Sequence, residues 1–448
     1  MKKIQLYRIA FLAMLPALVL TSCRFEDDDK FSESPALRIE HQSQTVKDLL
    51  VSSPNGWVMQ FFCASDVYQF EGFNLFARFD ASDKVTMASN HRYLRDGNAG
   101  KYTEDSSIYS MLNEDGLVLA FNVWNDILTP FSDPVDCGAA PNVIKKDGVG
   151  MHGDHNFVVM SYNDHEVILR GERHQAQVRL VKCDRDWQQY ITDTETMKSQ
   201  FTNATINNYY VTNGSETLYF SGLRSGRFLY TDNLDKTKSI KVDSLACCFT
   251  PNGFRLERKN NIGASTFQEF TMSADKSCLV SENGLVQVIP CWDLYTVTHA
   301  AVWKMDPALF SAEQQNLFAQ MEQEIKKHNA AWSIESIGIG QSSGSNKVNG
   351  LVVTFYTNTQ KTKTNASVGL AMTTSRPQYG QYKVVVDASD KVDKNMENVT
   401  KKATQFEALT RQFAATLAGK YSVVPNNYFM PTGGDFTAIE GGTTFKLQ

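Results

Sequence analysis

Apolar and polar positions alternate over most of this chain. Phe73, Leu75, Ala77 and Phe79 fall on one parity and Asn74 and Arg78 on the other, as in a strand with one buried face. Residues 57–62, apolar but for Gln60, start a strand behind the turn Pro54-Asn55-Gly56. Residues 107–112 and 117–123 flank Asn113-Glu114-Asp115-Gly116, and 157–162 is answered by 166–170 across Asn163-Asp164. Residues 176–182 follow. Short strands joined by close turns predict an antiparallel meander, closed as a barrel or stacked as a sandwich.

The period changes to that of a helix at four places. Leu37, Val46, Leu49 and Leu50 stripe a helix opened by Ser34-Pro35. Residues 186–201 read as a second. Ser311-Ala312-Glu313-Gln314 is a capping box ahead of Leu317, Phe318, Met321 and Ile325. Val399, Ala403, Phe406, Leu409, Phe413 and Leu417 predict one last helix, with Gly419 just past its end. The expected fold class is mainly β, with α+β character at the end. It divides into an antiparallel β domain with its helix (34–185), a second β-rich region (186–295) and an α+β domain (296–448). No internal sequence repeat is evident.

Composition narrows the class. Of 448 residues, 42% are hydrophobic and 21% charged, as in soluble domains with sizeable cores. With 44 Lys+Arg against 49 Asp+Glu the chain is mildly acidic, which disfavours a nucleic-acid partner held by phosphate neutralisation.

The first thirty residues speak about location. Lys2, Lys3 and Arg8 precede an apolar stretch over 9–20 that is too short to span a bilayer. It runs into Leu20-Thr21-Ser22-Cys23, which looks like a lipobox whose cysteine takes the lipid. The expectation is a signal peptide over 1–22, lipidation at Cys23 and an acidic tether over 23–33. Glu26-Asp27-Asp28-Asp29 resembles the export signal of Bacteroidetes lipoproteins and predicts the outer face of the outer membrane. Removing 1–22 takes away three positive charges and leaves the rest at about −8. The membrane contact expected is the lipid alone.

Seven cysteines remain after Cys23. None lies in a Cys-x-x-Cys, so zinc ribbons and thioredoxin-type motifs are unsupported. Buried free thiols are expected, with a bridge among Cys247, Cys278 and Cys291 left open. The adjacent pair Cys247-Cys248 would face opposite sides of a strand, so at most one should enter a core.

The order of motifs carries a resemblance. Phe31-Ser32-Glu33-Ser34, Ser53-Pro54-Asn55-Gly56-Trp57-Val58-Met59, Tyr109-Ser110-Met111-Leu112, Phe131-Ser132-Asp133-Pro134 and Gly153-Asp154-His155-Asn156-Phe157-Val158 follow the acidic run in turn. The chain resembles Bacteroidetes lipoproteins carrying domain of unknown function 4302, most clearly over about 23–260. The resemblance implies no known activity. It implies company: a TonB-dependent transporter and a surface binding lipoprotein in a nutrient-import system. It also places His155 where the family carries an aromatic residue.

Candidate chemistry is sparse. His152, Asp154, His155, His165 and His174 lie within 23 residues and offer imidazole and carboxylate for zinc or iron, or are ordinary turn residues. No phosphate loop follows the Gly-Gly pairs, and no cofactor motif is read. Cys63 and Cys137 are candidate thiols, and Asp126 with Asp133 a candidate glycosidase pair. Trp124 and Asp126, at a strand end among polar neighbours, are candidate ligand-binding residues. The leading expectation is a non-catalytic binding or accessory lipoprotein for glycan or peptide uptake. A surface hydrolase and a structural lipoprotein stand as alternatives.

Overall fold

The computed structural model describes residues 35–64, 70–114, 116–133, 150–202, 206–224, 226–235, 237–238, 241–291, 301–364, 366–374, 381–386 and 390–448. The signal segment, Cys23, the tether, Ser34, Cys137 and Trp292 lie outside these residues.

Helix α1 (Pro35–Val51) leads into β1 (Trp57–Phe62), β2 (Gly72–Phe79), β3 (Lys84–Ser89), β4 (Thr103–Glu114), β5 (Gly116–Phe121), β6 (Asn156–Tyr162), β7 (Glu166–Gly171) and β8 (Gln177–Lys182). Each strand pairs antiparallel with the next, and β8 returns to β1 with Trp57 opposite Lys182, so the expected meander closes as a barrel. Trp57, Met59, Phe61, Phe73, Leu75, Ala77 and Phe79 point inward and fill it. An eight-stranded barrel is just wide enough for side chains to occupy. Val46 and Leu50 of α1 join that core, and the Trp57 indole donates to the Leu50 carbonyl at 2.8 Å. The apolar parity faces in, the reverse of a membrane-spanning barrel.

Helix α2 (Trp187–Thr202) begins under an Asp186 cap that accepts from the Gln188 and Gln189 amides. A second closed barrel follows: β9 (Asn208–Thr212), β10 (Thr217–Arg224), β11 (Arg227–Thr231), β12 (Val242–Thr250), β13 (Gly253–Ile262), β14 (Ser265–Met272), β15 (Leu279–Ser281) and β16 (Gln287–Pro290), with β16 paired to β9. The repetition missing from the sequence is present in the topology, as a helix and then a closed meander of eight, twice over.

The last unit is an eight-stranded sheet in chain order, from β17 (Trp303–Lys304) through β18 (Ser333–Gln341), β19 (Asn349–Tyr356), β20 (Ala366–Thr374), β21 (Gln381–Val386), β22 (Gly419–Pro425) and β23 (Gly434–Gly441) to β24 (Phe445–Leu447). Its two ends meet where Met305 bridges Leu447 and Lys304 exchanges backbone hydrogen bonds with Gln448. Helix α3 (Ala312–His328) carries the expected capping box. The helix expected from Val399 to Leu417 is broken into α4 (Lys394–Thr400) and α5 (Phe406–Ala415). A tertiary acceptor accounts for the break: Glu324 of α3 takes the Gln405 amide at 3.1 Å and starts a new helix there. Gly419 opens β22 instead of ending a helix, and a Cβ there would lie 2.8 Å from the Glu440 carbonyl.

The cysteines follow the expectation of free thiols except in one respect. Cys63, Cys183, Cys247, Cys248 and Cys278 are free thiols, so no bridge joins the Cys247–Cys278–Cys291 set. Cys247 and Cys248 do face opposite sides of β12, yet both are buried. Cys247 lies in the core of the second barrel, while Cys248 packs with Ala246 against Phe62 of the first. The outer face of β12 is covered by the neighbouring barrel.

Candidate functional site

Most of the described residues singled out by sequence gather at one end of the first barrel, the end where β1, β3, β5 and β7 finish. His91, Tyr93, Phe131 and Met151 are buried there. His91 is fixed by both ring nitrogens: Nε2 donates to the Ile127 carbonyl at 2.8 Å, and Nδ1 accepts the Tyr93 amide at 3.2 Å. Burial holds its pKa down to about 4, so the ring is neutral.

Asp154 is buried and occupied. Its carboxylate accepts the backbone N–H groups of Arg173, His174 and Ala176 at 2.9–3.2 Å and so shapes the β7–β8 turn. Gly171 is required beside it, because a Cβ would fall 1.7 Å from Asp154 Oδ2. The His152 and His174 rings stack at 5.0 Å, and His174 Nδ1 sits 3.1 Å from the Gly153 carbonyl. His155 is exposed, and His165 lies in the β6–β7 turn at the other end of the barrel. Among the described residues no group of three or more His, Cys, Asp or Glu side chains converges as a metal set. Cys63 is no activated nucleophile, since burial and the nearby Asp154 carboxylate both push its thiol up.

Trp124 is 44% exposed. Its indole N–H donates to Asp126 at 2.5 Å, and the Arg95 guanidinium lies 4.6 Å from its ring centre. Arg95 also pairs with Asp133 at 3.6 Å. The two acids proposed as a glycosidase pair thus each hold a different neighbour.

A concavity lies elsewhere at the same end. A cleft of about 620 Å³ opens along the seam between the barrels, with α2 as its third wall. Glu71 and Gly72 enter from β2 and the loop before it, Asn90 and Arg92 from the loop after β3, Thr194, Glu195 and Lys198 from α2, and Gly226 and Phe249 from the second barrel. Glu71 is the central group. Its carboxylate meets Arg92 Nη2 at 3.4 Å and Lys198 Nζ at 3.2 Å. Gly226, at φ +70°, leaves room for it, because a Cβ there would fall 2.1 Å from Glu71 Cβ.

The walls of the cleft are stiff. Gly72 is so closely packed that a Cβ would lie 2.5 Å from the Phe62 ring of its own barrel and 2.6 Å from Cys248 Cβ of the other. Asn74 donates to the Phe249 carbonyl at 2.7 Å and accepts the Cys248 thiol at 3.2 Å. Arg227 reaches across to the Phe70 carbonyl at 2.9 Å, and Arg179 ties Glu166 of its own barrel to Glu269 of the next at 2.6 Å each. Burial and then the neighbouring Cys248 push the Cys247 thiol well up, and burial pushes the Cys248 thiol to about 12, so neither supplies a thiolate. A second concavity of about 500 Å³ lies against α2, but its charged pair, Arg185 and Asp193, closes on itself at 2.7 Å.

Glu71, Arg92, Thr194 and Lys198 carry no local motif. Glu71 and Lys198 are 127 positions apart, and only the docking of α2 joins them.

Fold and cleft define a class of protein: two filled antiparallel barrels clamped side by side, with a polar cleft at the clamp and a third, helix-bearing β unit behind them. The chain belongs to the family described as domain of unknown function (DUF4302), whose model matches residues 27–274, more than half of the 448 positions. The match takes in α1, the first barrel, α2 and the second barrel as far as β14. No curated protein matches the chain.

Proposed function

We propose that this is a lipid-anchored lipoprotein on the outer face of the outer membrane. It serves as a non-catalytic binding or accessory component of a nutrient-uptake system, beside a TonB-dependent transporter and a surface binding lipoprotein, with glycans or peptides as ligands. The anchoring half rests on the basic, apolar and lipobox order ending at Cys23 and on Glu26-Asp27-Asp28-Asp29. The binding half rests on one observation, the seam cleft. Side chains fill both barrels, so ligand space is found between them, where Glu71, Arg92 and Lys198 meet on stiff walls. Tethering such a cleft near a transporter raises the effective ligand concentration at its mouth.

Labelled palmitate should enter the wild-type protein and be absent from Cys23→Ala, and protease applied to intact cells should remove the wild-type protein from the surface. A panel of oligosaccharides and peptides should yield a ligand without turnover. Turnover would make the chain a hydrolase, and silence across both panels would leave a structural role.

A further inference from the structure

The seam cleft carries both signs of charge. Glu71 and Glu195 supply carboxylates, Arg92 and Lys198 supply cations, and all four line the same 620 Å³. That volume is in the range of small-ligand sites, which run from about 300 to 1,000 Å³. Its rings, Phe73, His91 and Phe249, are 5%, 6% and 4% exposed and are buried within the barrels. A pyranose is gripped by an open ring face, and this cleft offers none. It offers charge.

The cations are loosely held. Charge-assisted N–H···O contacts close to about 2.7–2.9 Å, whereas Lys198 and Arg92 stand 3.2 and 3.4 Å from Glu71. Arg92 also hydrogen-bonds the Tyr93 hydroxyl, but an ammonium has three donors and a guanidinium five, so both groups retain capacity for a further acceptor. Helix α2 turns one face to the cleft through Ile191, Thr194, Glu195, Lys198 and Thr202, the 3- and 4-residue spacing of helical neighbours. On that face the Thr194 hydroxyl is buried, and it has no hydrogen-bond partner among the described residues. A buried hydroxyl left unmatched costs stability, and a ligand amide arriving there recovers it.

We propose that the seam cleft binds short peptides by their free ends. The ligand carboxylate joins Arg92 and Lys198, its ammonium joins Glu71 and Glu195, and Thr194 meets a backbone amide between them. A neutral sugar brings no charge to any of the four, whereas a zwitterion brings both signs. The inference rests on the reading of the seam as a binding site and narrows its ligand from glycans or peptides to peptides.

The test is calorimetry on the full lipidated chain in detergent. The probes are Ala-Ala and Ala-Ala-Ala, the same peptides N-acetylated or C-amidated, and a set of neutral oligosaccharides. Free-ended peptides should bind, and blocking either end should weaken binding at least about tenfold. Arg92→Gln should do the same with the melting temperature unchanged, because the Arg92 side chain is 49% exposed. Lys198→Gln is the second variant should the first not fold. Equal affinity for blocked and free peptides, or full affinity in a folded variant, overturns the proposal. Oligosaccharide binding without peptide binding overturns it while leaving the seam a binding site. Silence from all three probe classes removes both.

Discussion

The two closed barrels have the same strand count and the same meander order, and they differ in what fills their ends. The first is plugged locally. Val46 and Leu50 of the preceding helix close one end, and Tyr93, Phe131 and Met151 of its own loops close the other, so its core is separate. The second borrows its plug. Phe201 of α2 enters among Tyr209, Phe228, Phe249 and Phe254, and Phe429 from the β22–β23 connection lies 5.4 Å from Phe201 and 6.1 Å from Tyr209. Its core is continuous with that of the third unit. One architecture therefore yields a self-contained barrel and a dependent one. The family match covers the first barrel whole and stops before β15 of the second.

Removing the borrowed plug tests the difference most sharply. Phe429→Ala should cost about 3–5 kcal/mol, the usual loss for a buried phenylalanine. Hydrogen exchange should rise in peptides from β9–β16 and from the third unit together, while β1–β8 stay protected. Protection of β9–β16 unchanged by this variant would mean that the second barrel stands alone after all.

The first barrel has a sensitivity that its twin lacks. His91 in its plug is held at about 4 by burial, against an ordinary 6.5. Between those values the unfolded chain binds a proton that the fold refuses. Stability is therefore full above about pH 6.5 and falls as the pH drops toward 4. At ~1.4 kcal/mol per pH unit the loss reaches about 3 kcal/mol. Urea melts at pH 7.5 and 4.5, followed through β1–β8 by exchange, should show it, and His91→Gln should flatten the slope. A slope that survives the substitution belongs to other groups.

How much of this was legible in the sequence follows the same division. Alternation in Phe73–Phe79 and the turns at Asn55-Gly56 and Asn163-Asp164 report each strand's own inner face, because local spacing decides it. The Ser311–Gln314 box was legible for the same reason. Whatever depends on docking was not. Alternation sends Cys248 and Phe76 to solvent, yet Phe62 covers the first, and Trp187 stacks on the second at 5.6 Å. Asp154 reads as a metal ligand until its carboxylate is seen gathering three backbone amides. Trp124 and Asp126 do touch, but Arg95 lies against the ring, and the seam cleft is built from residues that no local pattern connects.

The clamp itself gives the next effect in size. Gly72→Ala places a methyl against the Phe62 ring and Cys248 Cβ and should cost about 1–3 kcal/mol, as overpacking does. Crosslinking or small-angle scattering should show the barrels parting before either one melts. Coincident melting would mean that the seam yields without separating.

The smallest effect separates two arginines, one from each barrel, at the same seam. Arg179 of the first holds Glu166 and Glu269 at 2.6 Å each, and replacing it with methionine leaves two carboxylates without their cation. Arg255 of the second lies over the Phe62 ring at 5.7 Å, and its buried Nη1 has no hydrogen-bond partner among the described residues. Burial and then repulsion from Arg179 push its pKa down, and the Glu269 and Glu166 carboxylates offset that cost only in part. Arg255→Met keeps the contact with Phe62 and removes that cost. Its stability should stay within about 1 kcal/mol of wild type or rise, as when an ill-matched buried charge gives way to an apolar side chain. Thermal melts of the two variants side by side decide the matter: Arg179→Met should lose stability and Arg255→Met should not. A loss at Arg255 equal to that at Arg179 would show that the second barrel contributes an ion contact to the clamp as the first one does, and the asymmetry between them would end at the plugs.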